Sequence, residues 1–112
     1  MGTSMVNEYL RYRIAPERAD AFLEAYGRAA EWLRASEHCL GYHLARCVDE
    51  PEVFVLRIDW DSPEGHLQGF RRSEAFQRFF AHVAPFVGNI EEMRHYAPTG
   101  LEYQRASSPE SV

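Results

Sequence analysis

The side chain best suited to chemistry in this sequence is a histidine followed closely by aromatic rings. His66 stands in the stretch EGHLQGF, one helical turn before Phe70. An imidazole titrates near neutral pH, so it can take a proton from a phenol or quinol held beside it. The alternative for His66 is a helix-start side chain bonded to a backbone carbonyl.

Three further side chains are candidates for holding the substrate. Trp60 ends a β-forming run and can stack on a planar ring through its face, although a plain core tryptophan fits the same pattern. Glu8 and Tyr12 share one face of the first predicted strand, because alternate residues of a strand point the same way. Beside apolar neighbours Glu8 would need a partner or a raised pKa, but its place near the strand start favours solvent exposure.

Four phenylalanines follow at near-helical spacing, and their stripe predicts a buried helix face. They are Phe70, Phe76, Phe79 and Phe80. Such a stripe is mainly core, yet we expect Phe70 and Phe80 also to line a cavity with His66 and Trp60. Tyr42 and His95 are secondary candidates for the same site.

Motifs for metals and cofactors are absent from the sequence. The five histidines show no HExxH or His-x-x-x-His spacing, and Cys39 and Cys47 do not form a CxxC pair. Gly-x-Gly-x-x-Gly, phosphate-loop and Gly-x-Ser-x-Gly patterns are also missing. We therefore predict that the protein uses no metal and no cofactor. If it is an enzyme, it must act on a reactive substrate with acid–base catalysis; the alternative is that it is not an enzyme.

Composition and charge narrow the class of protein. The 112 residues are 46% hydrophobic and 26% charged, with a net charge of -5, which is typical of one soluble domain. Scattered arginines among acids do not attract nucleic acid, and no apolar run could span a membrane. The start has no signal-peptide pattern. Cys39 and Cys47 lie about 26 Å apart if they share a strand at roughly 3.3 Å per residue, so we predict free thiols and a cytoplasmic protein.

Alternation and helical periodicity predict the element order β-α-β-β-α-β. The predicted strands are VNEYLRYRI, CLGYHLARC, VFVLRIDW and NIEEMRHYA, and the predicted helices run from Pro16 to about Ala35 and from Ser62 to Pro85, the second with a break near Arg71–Arg72. This order predicts an α+β ferredoxin-like fold, a four-stranded antiparallel sheet with helices on one face.

The other sheet face would carry apolar side chains and mixed charge. Tyr9 and Val55 lie on it, together with candidate buried ion pairs among Arg11, Arg13, Arg57 and Asp59. Such a face predicts a homodimer joined sheet to sheet. The alternative is a solvated sheet face, which antiparallel sheets tolerate.

The sequence resembles the antibiotic biosynthesis monooxygenase family of dimeric α+β barrel proteins. The resemblance rests on EYLRYRI, CLGYHLARC and VFVLRIDWDSPEGHLQGFRRSEAFQRFF, and covers residues 6–101, with a flexible tail predicted over residues 102–112. It implies a homodimer in which a small aromatic, quinol or anthrone-like substrate reacts with O₂ without a cofactor. His66 would be catalytic, and Trp60, Phe70, Tyr12, Phe80 and Glu8 would contact the substrate. Because the superfamily hosts many activities, a non-catalytic ligand-binding dimer stays open.

A haem-degrading branch of the family suggests an alternative function. Its pattern has a strand Asn, a helix Trp and a haem-ligating His, at positions held here by Leu10, Phe70 and Phe80. Asn7 lies on the opposite strand face, and His82 is displaced about 200° around the helix from the ligand position. The haem pattern is therefore not met, although His66 stays open as a ligand.

Overall fold

Two helices pack on one face of a four-stranded antiparallel sheet. The computed structural model describes residues 5–106. Its main elements are β1 Val6–Arg13, α1 Ala19–Arg34, β2 Cys39–Arg46, β3 Val53–Trp60, α2 Glu74–Val83 and β4 Ile90–Tyr96. The strands lie side by side in the order β2-β3-β1-β4. This is the predicted ferredoxin-like arrangement, which the structure confirms.

The alternation read from the sequence decides which sheet face is covered. In β1 the buried side chains are Val6, Glu8, Leu10 and Tyr12, and the residues between them are more exposed. In β3 the side chains of Phe54, Leu56, Ile58 and Trp60 are buried together with them. The two central strands thus direct one continuous set of residues toward the helices, where they form the hydrophobic core.

α1 contributes the apolar stripe that its periodicity predicts. Phe22, Tyr26 and Leu33 are buried against the sheet, and Phe22 meets the rings of β1 and β3. A short 3-10 turn, Pro16–Arg18, opens the helix as the proline suggested. On the solvent side Arg28 pairs with Glu24 at 2.8 Å, at the favourable i, i+4 spacing.

The segment between β3 and α2 differs from an ordinary helix. Its first part is a π-helical turn, Gly65–Gly69, followed by a 3-10 turn, Phe70–Arg72. Ser73 then adopts an extended backbone and its side chain accepts a hydrogen bond from the Phe76 amide, so a fresh helix begins there. The predicted break is confirmed, whereas the π-helical turn was not foreseen.

Two glycines allow the π-helical turn to sit against its neighbours. His38 Nδ1 lies 2.9 Å from Asp61 Oδ2, and this pair occupies the space where side chains at the turn would otherwise stand. A Cβ at Gly65 would overlap Asp61 Oδ1, and a Cβ at Gly69 would overlap the His38 ring. The turn therefore needs glycine at both positions, and the close approach anchors it to the end of β3.

The ion pairs expected to be buried on the outer sheet face are half-exposed in the single chain. Arg13 Nε lies 2.7 Å from Glu91 Oε2, with 43% and 34% of the two side chains exposed. Arg57 Nε is the exception, because it is buried and makes no hydrogen bond even though Asp59 Oδ1 is 3.3 Å away. Asp59 Oδ1 instead accepts from Asn7 Nδ2 at 2.6 Å.

Several smaller predictions have outcomes within the described residues. Cys39 and Cys47 are free thiols, as expected. No helix within residues 5–106 is both long and apolar enough to cross a membrane. Residues 97–106 form neither helix nor strand. The rest of the predicted tail, residues 107–112, lies outside the described part of the chain.

Candidate active site

A cavity of about 160 Å³ lies between the sheet and the segment that contains the π-helical turn and α2. All six residues that the sequence put forward line it, namely Glu8, Tyr12, Trp60, His66, Phe70 and Phe80. They come from three separate elements, β1, β3 and the helical segment. The structure thus brings the set together, while the role of each residue in turnover stays a prediction. A larger depression of about 440 Å³ lies on the outer sheet face, away from these groups.

His66 is held on three sides by other side chains. Its ring stacks on Trp60, with centroids 4.5 Å apart and planes 8° apart. His66 Nδ1 lies 3.0 Å from His95 Nε2, so one of the two nitrogens carries the shared hydrogen. His66 Nε2 lies 3.4 Å from Glu8 Oε1. The backbone-carbonyl alternative is therefore not what holds this ring, which is only 2% exposed.

Glu8 is only 3% exposed, so the expectation that it faces solvent is wrong. β1 lies inside the sheet, where Glu8 is flanked by Ile58 of β3 and His95 of β4. Being near the start of an interior strand does not expose a residue when both neighbouring strands extend past it. Glu8 Oε1 accepts a hydrogen bond of 2.9 Å from Trp60 Nε1, which supplies the partner that a buried carboxylate needs.

Burial shifts the pKa values of His66 and Glu8 in the directions that favour the neutral form of each side chain. Desolvation, reinforced by the charges of His95 and Arg71, lowers the pKa of His66 to about 4. Desolvation raises the pKa of Glu8, and the hydrogen bond from Trp60 opposes that rise. At pH 7 His66 is thus a neutral imidazole. When its Nδ1 carries the hydrogen shared with His95, its lone pair is on Nε2 and faces Glu8 Oε1.

The remaining wall of the cavity is mostly aromatic. Phe70 packs on Trp60 with centroids 5.1 Å apart, and Phe79 lies 5.7 Å from Phe70. Phe80, 42% exposed, stands at the rim. Tyr12 and Tyr26 share a short buried hydrogen bond between their hydroxyl groups, and both line the cavity. The cavity therefore offers ring faces to a planar molecule, with its polar atoms concentrated around His66.

Sequence reasoning undervalued three residues of this site. His95 ranked only as a secondary candidate, and Arg71 and Tyr26 were not proposed. The pairing of Glu8 with His95 follows from strand register, which a single sequence does not reveal. Arg71 lines the cavity and places its guanidinium 5.2 Å from the Phe76 ring centre. Nothing in the sequence around Arg71 distinguishes it from an ordinary surface arginine.

The positions of the haem-degrading pattern carry no haem ligand. Leu10, Phe70 and Phe80 line the cavity as apolar groups. Asn7 is turned to the outer sheet face, as predicted, and bonds Asp59 there. His82 lies in a surface depression beside α1 together with Glu24 and Arg28, so it does not reach the cavity.

Comparisons with known proteins add family and fold. A family model described as antibiotic biosynthesis monooxygenase matches residues 5–82. The uncharacterized protein YczJ of Bacillus subtilis (strain 168) is 25% identical over 92 residues, covering 82% of this chain and 97% of that protein. A candidate antibiotic biosynthesis monooxygenase from Chloroflexus aurantiacus has a TM-score of 0.71 at 24% identity, covering 89% of this chain and 98% of that chain. One from Bordetella bronchiseptica has a TM-score of 0.69 at 22% identity, covering 93% and 99%. These structural likenesses show the fold alone.

Proposed function

The chain belongs to the antibiotic biosynthesis monooxygenase family, and on that premise we propose that it is a cofactor-independent monooxygenase. Its substrate would be a small aromatic, quinol or anthrone-like molecule, oxidised by molecular oxygen. Family membership supports a general monooxygenase-like function. The observation that carries the finer proposal is the imidazole of His66, placed beside a buried carboxylate on the wall of an aromatic cavity.

The proposed reaction balances without an external reductant. A CH₂ group activated by neighbouring rings gives a proton to His66 and becomes an electron-rich anion. The anion transfers an electron to O₂, and the two radicals combine to a substrate peroxide, which takes up the proton. Loss of water then leaves a ketone, so CH₂ and O₂ become C=O and H₂O. The substrate supplies every electron, and the protein moves one proton.

The other cavity residues have positioning roles in this scheme. Phe70 and Phe80 would hold the substrate ring between their faces, and Trp60 would hold His66 by stacking. Glu8, close to His66 Nε2, would stabilise the imidazolium that forms when the proton arrives. Tyr12 lies on the same wall and offers a hydroxyl group to a polar substituent. The small volume, below the roughly 300 Å³ of common drug-sized pockets, favours compact substrates.

We further propose that the chain works as a cytoplasmic homodimer joined through the outer sheet face. Tyr9 and Val55 present apolar surface there, and the buried Arg57 Nε lacks a hydrogen-bond partner within the chain. Buried polar atoms are normally satisfied, so a second copy that offers an acceptor would complete this face. The free thiols of Cys39 and Cys47 suit a reducing compartment.

Oxygen uptake tests the proposal. Chelator-treated protein is mixed with a panel of quinols and anthrones, with heat-killed protein as the blank. Uptake should depend on native protein, and His66→Phe should lower it by roughly 100-fold or more, as expected for loss of a general base. Phenylalanine keeps a ring over Trp60, and a urea unfolding curve of the variant checks that it is folded. His43→Ala, an exposed histidine on β2, is the matched control and should keep full activity.

Other outcomes would point to other functions. Saturable binding of the same ligands without oxygen uptake would show that the chain is a non-catalytic binding protein and not an enzyme. A Soret shift on haemin addition, lost in His66→Phe, would favour the haem-binding alternative. Equal uptake by His66→Phe and the unmodified chain would remove His66 from the mechanism.

A further inference from the structure

We propose that Glu8, His66 and His95 form a binding site for a divalent transition-metal ion such as Zn²⁺, and that the bound ion inhibits the protein. The inhibitory part rests on the proposed function, because a cation bound to His66 would lower the basicity of the imidazole that has to take the proton. The binding part stands on geometry alone. Within residues 5–106 these three side chains place ligand atoms within 4.8 Å of one another.

The three ligands come from elements whose relative positions are firmly set. Glu8 and His95 are directly opposite one another in the β1–β4 ladder. His66 stands above them in the π-helical turn, which Gly65 anchors against Asp61 and His38. Sheet hydrogen bonds hold two ligands, and the stack on Trp60 holds the third. The site is therefore largely formed before an ion arrives, which lowers the cost of binding.

One ligand atom from each residue lies within 4.8 Å of the others, so the carboxylate and the rings must draw together to bind one ion. His66 Nδ1 is 3.0 Å from His95 Nε2, and His66 Nε2 is 3.4 Å from Glu8 Oε1. A tetrahedral ion with ligands near 2.0–2.1 Å separates its ligand atoms by about 3.4 Å. His66 can give only one nitrogen to the ion, so its ring must adjust slightly. The ion would then replace the single hydrogen that now joins the two imidazoles.

The donor chemistry indicates the class of ion. Two imidazoles and one carboxylate suit Zn²⁺, Co²⁺ and Fe²⁺ better than Ca²⁺ or Mg²⁺, which prefer oxygen ligands. Three protein ligands leave a fourth position open for water, as in catalytic zinc sites. The hydrogen bond from Trp60 Nε1 orients the Glu8 carboxylate from behind, the role of outer partners in metal sites.

Arg71 provides an internal check on this assignment. Its positive charge acts on both Glu8 and His66, so it must oppose a divalent cation at the same place. Arg71→Gln should therefore tighten metal binding, whereas loss of a ligand should weaken it. A nonspecific surface site would not respond in these two opposite directions.

Metal titration of the chelator-treated chain tests the site. Co²⁺ is followed by its visible absorption and Zn²⁺ by calorimetry, with one ion per chain expected. His95→Ala should weaken binding by more than the roughly 10- to 100-fold loss caused by removing a supporting partner. His95 is exposed, so this variant should fold. His43→Ala should bind like the unmodified chain. Unchanged affinity in His95→Ala would overturn the site.

Oxygen uptake measured with and without the ion separates this proposal from the proposed function. If the metal-free chain is active and one Zn²⁺ suppresses uptake, both hold. An active chain that binds no ion, or binds one without inhibition, would overturn the inhibitory site and leave the function intact. A metal-free chain that is inactive until Fe²⁺ is added would keep the site but overturn both inhibition and cofactor independence.

Discussion

The indole of Trp60 and the imidazole of His66 lie face to face, 4.5 Å apart and 8° from parallel. The indole N–H of the same Trp60 donates a hydrogen bond to the Glu8 carboxylate. Trp60 thus performs two tasks, since its ring fixes the candidate base and its nitrogen satisfies the buried acid. Trp60 is therefore more than a core residue, because it contacts both His66 and Glu8.

Replacing Trp60 by Phe should separate these tasks. The ring contact is largely kept, but the Glu8 carboxylate loses its hydrogen-bond donor inside the protein. We expect a loss of about 1–3 kcal/mol in unfolding free energy, typical of a buried polar group left without its partner, measured by urea unfolding at pH 7. Trp32, the other tryptophan, is only partly buried, and no carboxylate within residues 5–106 bonds its indole, so Trp32→Phe should cost less. Equal losses in the two variants would contradict this role.

Alanine at Gly65 should destabilise the π-helical turn, because its Cβ would overlap the Asp61 carboxylate and lie 2.9 Å from His38 Nδ1. We expect about 1–3 kcal/mol of lost stability, as for overpacking. Ligand binding in the cavity should weaken as well, since His66 moves with the turn. Gly27→Ala is the control. It lies within α1 and a Cβ there meets nothing within 4 Å, so it should stabilise the chain by about 0.5–1 kcal/mol.

Alkaline pH should weaken the fold through the buried tyrosine pair. Burial raises the pKa of both Tyr12 and Tyr26 above the ordinary value of 10.0. The folded chain then holds protons that the unfolded chain releases, so unfolding free energy should be flat below about pH 10 and fall above it. Urea unfolding between pH 8 and 11 measures this. In the double variant Tyr12→Phe with Tyr26→Phe the decline should be shallower, and an unchanged decline would count against the pair.

The proposed dimer predicts a strong effect of a charge on the outer sheet face. Val55→Asp places a carboxylate in the middle of that face, where burial in an interface costs free energy unless it is paired. Size-exclusion chromatography with light scattering should give twice the chain mass for the unmodified protein and the mass of one chain for the variant. Val48→Asp is the control, since Val48 lies in a turn and is 90% exposed. A monomeric unmodified protein would end the proposal.

Much of the fold followed from local pattern. The alternation in β1 and β3 predicted which side chains face the helices, and the break predicted near Arg71–Arg72 is present, with a new helix beginning after Ser73. These features depend on a residue and its near neighbours, so a single sequence carries them. The six proposed site residues share a cavity for the same reason, because the buried faces of β1, β3 and the helical segment must meet in one core.

What the sequence could not decide depends on contacts between distant residues. Glu8 was expected to be exposed because its position was judged along one strand, whereas strands on both sides bury it. His95 joins His66 only through the β1–β4 register, and the π-helical turn forms only because Gly65 and Gly69 must pass close to His38 and Asp61. The sequence by itself determined the periodicity, and with it the elements and their buried faces. Tertiary structure alone decided which polar groups share the buried site, since their protonation and partners depend on neighbours far away in the chain.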